Sequence, residues 1–248
     1  MLLSLMYHHI NSDQYSNNSE LIEEHFKYIS NNYITIFPRE YVFDLTTKLC
    51  LVFDDGYFDF YYYVFPLLKK YNIKALLSVP VKYILDEVFV KDKIRLSQKH
   101  STLMSEENYK TYAPYCSWRE LKEMSDSGFV QIVSHGYNHI KLDDISKEEL
   151  QFELEESKKT IESKLEIDCD TFVYPYGNFN TEVLNEVNKY YDYNFAISSM
   201  YNFNIKNKPI YRIYADDMQK CDELFLWGNK IKYILRNIKF IVKKVLKK

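Results

Sequence analysis

The chain has 248 residues, of which 46% are hydrophobic and 27% charged, with a formal net charge of −3. A chain of this length buries roughly 70% of its unfolded surface, so it can build a sizeable core, and its composition excludes a disordered, collagenous or low-complexity chain. No run of about 18 apolar residues marks a transmembrane helix, and four scattered cysteines without a CxxC pair argue against a structural zinc site or a disulfide framework.

Strand and helix signals alternate along the chain. Residues 2–6 (LLSLM) form a short apolar strand ending at Tyr7, His8 and His9. This opening segment has no basic flank, and histidines break its apolar stretch. It does not read as a signal peptide, and a reduced, cytosolic protein is the expectation. Residues 20–29 predict a helix with Leu21, Ile22, His25, Phe26 and Ile29 on one face, and residues 33–37 are strand-like. Residues 49–53 (LCLVF) are a buried strand running into Asp54, Asp55 and Gly56. The aromatic-rich stretch 57–71 predicts one helix with Phe58, Tyr61, Phe65 and Leu68 inward, and 73–79 is the next buried strand. Ser117 and Glu120 in SWRE make a capping box, opening a helix that Gly128 closes. Strand 129–133 ends at Ser134 and His135. A second capping box, SKEE at 146–149, starts a long helix carrying Leu150, Leu154, Ile161 and Leu165. Strand 171–174 ends in Pro175, Tyr176 and Gly177, and 194–198 and 210–214 are the later strands.

Repeated strand–helix units with apolar, non-alternating strands imply an α/β fold, a parallel sheet under helical cover. No Gly-rich phosphate loop is present, which weakens nucleotide-binding readings. The polar, irregular stretch 86–115 fits either a flap or a plain surface insertion.

Polar residues cluster at the predicted C-terminal strand ends: His8, Asp54 with Asp55, His135, and Pro175 with Tyr176. In a barrel of parallel strands these ends converge on one face, where active sites lie. His135 and His139 are four residues apart, a spacing that on a helical turn lets two imidazoles grip one metal ion. Alone the pair is a weak signal, equally compatible with two surface histidines. The Asp54–Asp55 pair is costly to bury without a cation, though a helix N-cap explains it too. Jointly the two elements supply one carboxylate and two imidazoles, the three-ligand set of an open metal site, with a second carboxylate free as a base.

The ordered motifs LVFDDG, SHGYNH and FVYPYG resemble those of the polysaccharide deacetylase family, carbohydrate esterase family 4-like, with the NodB-homology domain. MYHHI and SWRELKEMSDSG match the family's usual context, and the resemblance runs from about residue 2 to about residue 215. It implies a distorted (β/α)7-8 barrel, TIM-like, over residues 1–228. It also implies removal of an N-acetyl group from an amino sugar of a glycan, with acetate and a free amine as products. Asp54 matches the family's catalytic base. Asp55, His135 and His139 match its metal ligands, usually for Zn2+, with Co2+, Ni2+, Mn2+ or Fe2+ also used. Pro175 and Tyr176 match the substrate groove, where the tyrosine N–H helps hold the oxyanion.

The sequence departs from the family's commonest pattern in three places. Gly136 replaces the usual hydroxyl residue. Val173 replaces the arginine that orients the base, and Arg212 is the candidate substitute, with a surface ion pair as the plain alternative. No histidine follows His139, so His8 is the candidate general acid, with His9 and His100 as fallbacks; a structural histidine is the plain alternative for His8. Two other readings stay open: a deacylase of a lipid-linked sugar, such as a deformylase, and, from the departures at Gly136 and Val173, a non-catalytic carbohydrate-binding relative.

Residues 230–248 hold eight basic and no acidic residues, leaving 24 basic against 35 acidic in the rest. Such an acidic body is a poor nucleic-acid binder, and no nucleic-acid partner is expected. In this tail Ile231, Ile234, Leu235, Ile238, Ile241, Val242, Val245 and Leu246 recur every three or four residues, a helical stripe. The segment 229–248 thus reads as a basic amphipathic helix. It either lies on an anionic membrane, which would put the protein peripherally on the inner membrane face, or packs its stripe on the barrel and leaves its lysines in water.

Overall fold

The computed structural model describes residues 1–246, with side chains through Phe240 and at Val242. The tail positions Ile241, Lys243, Lys244, Val245, Leu246, Lys247 and Lys248 lie outside the described side chains.

The chain begins with β1 (Leu2–Tyr7), buried at every residue, and the short β2 (His9–Ile10) and β3 (Ser16–Asn17). Asn18 caps α1 (Ser19–Asn32) by accepting from Leu21 N at 2.7 Å, and the helix buries Ile22, His25, Phe26 and Ile29. Then come β4 (Ile34–Thr35) and β5 (Lys48–Phe53). The single helix expected over 57–71 is broken. A π-helical turn spans Phe60–Val64, and α2 (Phe65–Tyr71) follows. Pro66 has no N–H to bond four residues back, so Phe65 N reaches Phe60 O, five back, instead. The register shift leaves Tyr61 half-buried, its hydroxyl donating to Glu123 at 2.8 Å, rather than in the inner stripe.

After β6 (Ala75–Val79) a long connection carries α3 (Asp92–Leu96) and α4 (Glu106–Tyr112) before α5 (Trp118–Asp126). Buried Arg95 ties this polar connection down. Its guanidinium donates to both Glu120 oxygens (2.6 and 2.9 Å) and to the carbonyls of Ala113 (2.8 Å) and Tyr115 (2.7 Å), and it lies 3.4 Å over the Phe58 ring. Next are β7 (Val130–Ser134), α6 (Lys147–Leu165), β8 (Thr171–Val173), α7 (Thr181–Tyr190), β9 (Tyr193–Ile197), β10 (Pro209–Tyr214) and α8 (Trp227–Leu246). Ser117 and Ser146 form capping boxes with Glu120 and Glu149, and Asn180 caps α7.

Seven strands close a parallel ring in the order β1, β5, β6, β7, β8, β9, β10 and back to β1, while β4 adds an eighth strand beside the start of β5. β1 and β5 pair over six positions, Leu2↔Lys48 through Tyr7↔Phe53. By contrast β7 and β8 share one register pair, Ser134↔Phe172. Alternation along the strands splits the apolar residues into two clusters. Leu2, Cys50, Val52, Leu76, Val173, Phe195 and Ile210 belong to one. Leu3, Leu5, Leu49, Leu51, Leu77 and Ile132 pack with helix residues such as Phe26, Leu121 and Leu154 in the other. Because the ring is all parallel, the residues after β1, β5, β7, β8 and β10 meet at one end of the barrel.

Candidate active site

Asp54 follows β5 directly and is buried. Arg212, two residues before the end of β10, donates through Nη1 to both Asp54 oxygens at 2.6 and 2.8 Å, and Ser78 Oγ donates to Oδ1 at 2.9 Å. Arg212 is fully enclosed (0% exposed), so it is no surface ion pair. Burial alone would raise the Asp54 carboxyl. The charge of Arg212 foremost, with that of His8 and the Arg212 hydrogen bond, outweighs it and holds the carboxyl below its usual range.

His8 sits across from this carboxylate, its Nε2 3.9 Å from Asp54 Oδ2. Its backbone N–H donates to Asp216 Oδ1 at 2.9 Å and its Nδ1–H to Asp216 Oδ2 at 2.6 Å. Burial disfavours the imidazolium, but the Asp216 hydrogen bond and the charges of Asp54, Asp216 and Asp55 overcome it and raise His8 to about 9. The imidazole is therefore an acid with one nitrogen locked on Asp216 and the other toward Asp54. Burial is also the main force on Asp216, whose carboxyl is raised.

Asp55, His135 and His139 are all buried and offer ligand atoms within 4.8 Å of one another. Asp55 Oδ1 lies 3.4 Å from His135 Nε2 and 3.0 Å from His139 Nε2, yet has no hydrogen-bond partner among the described residues. His135 Nδ1–H donates to the Val173 carbonyl at 2.8 Å, which leaves the Nε2 lone pair facing Asp55. A carboxylate and two imidazoles around an orphaned buried oxygen fit a divalent cation. The two histidines do not sit on a helical turn, as their spacing had suggested. They stand on an irregular loop in which Gly136 has φ +76° and His139 φ +57°.

That loop has its own support. Glu153 of α6, itself buried, accepts from Tyr137 N (2.7 Å), Asn138 N (2.9 Å) and Asn138 Nδ2 (2.6 Å). A Cβ at position 136 would stand 2.9 Å from Glu153 Oε2 and be strained by its φ, which accounts for glycine there. Left-handed backbone also occurs at Asp55 (φ +71°) and Tyr176 (φ +59°), at a cost of order 1 kcal/mol each.

Pro175 and Tyr176 follow β8. Tyr176 is 52% exposed, and its ring centroid lies 4.9 Å from that of His139. A pocket of about 430 Å³ opens here, lined by His8, Asp54, Asp55, His135, His139 and Arg212 together with Tyr15, Tyr174, Tyr176 and Tyr214. That volume is within the usual range for small-ligand sites, about 300–1,000 Å³. His100, from the long connection after β6, lines the same pocket. His9 does not: its Nδ1 bonds Asp59 at 2.7 Å and its Nε2 faces His100 Nδ1 at 3.2 Å.

Sequence reasoning thus pointed to Asp54, Asp55, His135, His139, His8, Arg212 and Tyr176, all of which line the pocket, and to Pro175, which adjoins it. It missed Asp216, Glu153 and Ser78. Asp216 was within reach, since it follows the last strand as Asp54 follows β5.

The closed parallel barrel thus carries, at the C-terminal ends of its strands, a buried Asp–Arg pair, an Asp–His pair and an Asp–His–His cluster. The sequence pattern described as Polysaccharide deacetylase matches residues 46–195, and the chain belongs to that family. The match spans Asp54, Asp55, His135, His139, Pro175 and Tyr176. His8, Arg212 and Asp216 fall outside it. YxkH of Bacillus subtilis (strain 168), named as a candidate polysaccharide deacetylase, is 30% identical over 194 residues, 75% of this chain and 60% of that protein. The poly-beta-1,6-N-acetyl-D-glucosamine N-deacetylase of Escherichia coli (strain K12) is 25% identical over 177 residues, 60% of this chain and 25% of its own length. The chain therefore spans less than two thirds of either curated relative. Among solved structures, the Bacillus cereus polysaccharide deacetylase BC0361 superposes with a TM-score of 0.73 at 18% identity, covering 90% of this chain and 67% of that one. The Streptococcus pyogenes deacetylase PplD, solved with acetate, gives 0.71 at 19%, covering 90% and 96%. At these identities the structures establish the shared fold.

Proposed function

We propose that this protein is a metal-dependent deacetylase that hydrolyses the N-acetyl group of an amino sugar in a glycan or glycan precursor. The observation that carries the reading is the pair of opposed, charge-set groups, Asp54 held by Arg212 and His8 held by Asp216, flanking a buried three-ligand cluster.

A divalent ion held by Asp55, His135 and His139 would supply Lewis-acid polarisation of the acyl carbonyl and acidify water, typically toward a pKa of about 7. The chain's own residues divide the proton work. Asp54, kept ionised by Arg212, accepts the proton of the attacking water. His8, kept protonated by Asp216, delivers a proton from Nε2 to the departing amine. The Tyr15, Tyr174, Tyr176 and Tyr214 rings offer flat apolar faces with polar tips, suited to a sugar ring. The acetylated glycan of the E. coli relative supports the choice of substrate class. The substrate screen is therefore acetylated glucosamine oligomers, sugar nucleotides and lipid-linked sugars.

The test is acetate release by the metal-loaded protein across that screen. Asp54→Asn is expected to keep the metal and lose about 10²–10⁴ in rate, because an amide cannot accept the proton. His139→Ala is expected to lose metal and turnover together. No acetate from any substrate, or a near-wild-type rate in Asp54→Asn, removes the reading.

A further inference from the structure

Helix α8 carries three distinct faces, and the barrel uses one of them. Tyr233 and Asn237 face inward, and Phe240, at the edge of the same face, is partly exposed. Tyr233 is buried, its hydroxyl donating to the Leu224 carbonyl at 3.1 Å. Asn237 accepts from Tyr201 N (3.0 Å) and donates to Tyr201 O (2.8 Å), and Phe240 meets Tyr211 edge-on at 5.7 Å. At 100° per residue, the described positions of the apolar stripe, Ile231, Ile234, Leu235, Ile238 and Val242, fall on a second face, away from these contacts. Trp227 is 77% exposed there, Ile234 50% and Leu235 51%, and Ile231, Ile238 and Val242 are also exposed. Lys232, Arg236 and Lys239 occupy the third face, next to the apolar one. Among the described residues of the stripe, none is buried against the barrel.

We propose that α8 docks the protein on an anionic lipid surface, with its apolar face in the headgroup–acyl boundary and its basic face on the lipid charges. Three observations choose this occupant. An apolar stripe ending in an exposed tryptophan beside a row of cations is the pattern of a helix lying in a membrane interface. Residues 230–248 carry only positive charge, whereas the rest of the chain holds 24 basic against 35 acidic residues, so this helix is where attraction to anionic lipid concentrates. Among the described residues no helix is long and apolar enough to cross a membrane, so the helix lies along the surface. The inference is independent of the reaction assigned to the pocket, because none of these residues lines it.

The experiment is co-sedimentation of the full chain with vesicles of phosphatidylcholine alone and of phosphatidylcholine with phosphatidylglycerol. Pelleting is expected with the anionic vesicles and not the neutral ones, and should weaken at high salt. Lys232→Gln, Arg236→Gln and Lys239→Gln should each lower partition about fivefold, and about a hundredfold together. Ile234→Asp with Ile238→Asp should abolish pelleting while leaving the thermal melt of the barrel unchanged, since both side chains are exposed. No pelleting of the wild type overturns the proposal, as does equal pelleting of the Ile234→Asp/Ile238→Asp variant. A dimer by light scattering that this double variant dissociates, without vesicle binding, overturns it in favour of a second copy on the same face.

Discussion

Asp54 and His8 differ in protonation at the same pH because each faces an opposite charge across a short hydrogen bond. Arg212 drives one carboxyl down, and the Asp216 contact leads the forces that raise the imidazole. His8 holds its proton at neutral pH and loses it as pH rises through about 9. If His8 is the acid, activity falls on that alkaline side. Asp216→Asn keeps the shape but removes the charge, so the alkaline limb of kcat/KM should move down by about one pH unit or more while the acid limb stays put. A pH–rate profile measured on both proteins checks this, and an unmoved limb assigns the proton to another group. Asp54, Asp55, His135 and His139 were legible because their motifs are contiguous and follow apolar strands. Asp216 lies 208 residues from His8, and Glu153 lies 15 residues beyond Asn138 on another element. No local pattern announces such partners. Only the closed ring brings Asp216 to His8, and only the packing of α6 brings Glu153 under the histidine loop.

At the scale of elements, apolar strands and capping boxes were read to within a residue or two, because burial on both faces and the Ser-x-x-Glu pattern are strong local signals. The helix over 57–71 was misread because periodicity does not weigh a missing N–H at Pro66. Helix α1 shows what a periodic face conceals. His25 stands in the apolar stripe and is fully buried. Its Nε2 accepts from the Tyr7 hydroxyl at 2.8 Å, and its Nδ1–H donates to the Cys221 carbonyl. Burial, offset in part by the Cys221 bond, lowers it to about 4, so the folded chain keeps His25 neutral where the unfolded chain would protonate it. The unfolded state binds the extra proton between about pH 6.5 and pH 4, so stability is full above that window and falls within it. The loss should total about 3 kcal/mol. Urea titrations at a series of pH values should show this slope, and His25→Gln should flatten it. An unchanged slope in the variant places the titration elsewhere.

The whole molecule closes through ladders of unequal strength. β1 and β5 share six register pairs, whereas β7 and β8 share one. Beside that thin join, the bond from His135 Nδ1–H to the Val173 carbonyl does what a missing rung would do. In metal-free protein held in chelator, His135→Ala should lower unfolding free energy by about 1–3 kcal/mol. His139→Ala should lower it by less, since His139 Nδ1 has no partner among the described residues. Denaturation curves of the two variants decide the matter, and equal losses would show that the imidazole does not brace the wall. One side chain thus belongs both to the candidate ligand set and to the masonry of the barrel. By this geometry position 139 answers to the cluster alone, whereas position 135 answers to the wall as well. A protein with nothing left to bind would still need the rung that His135 supplies.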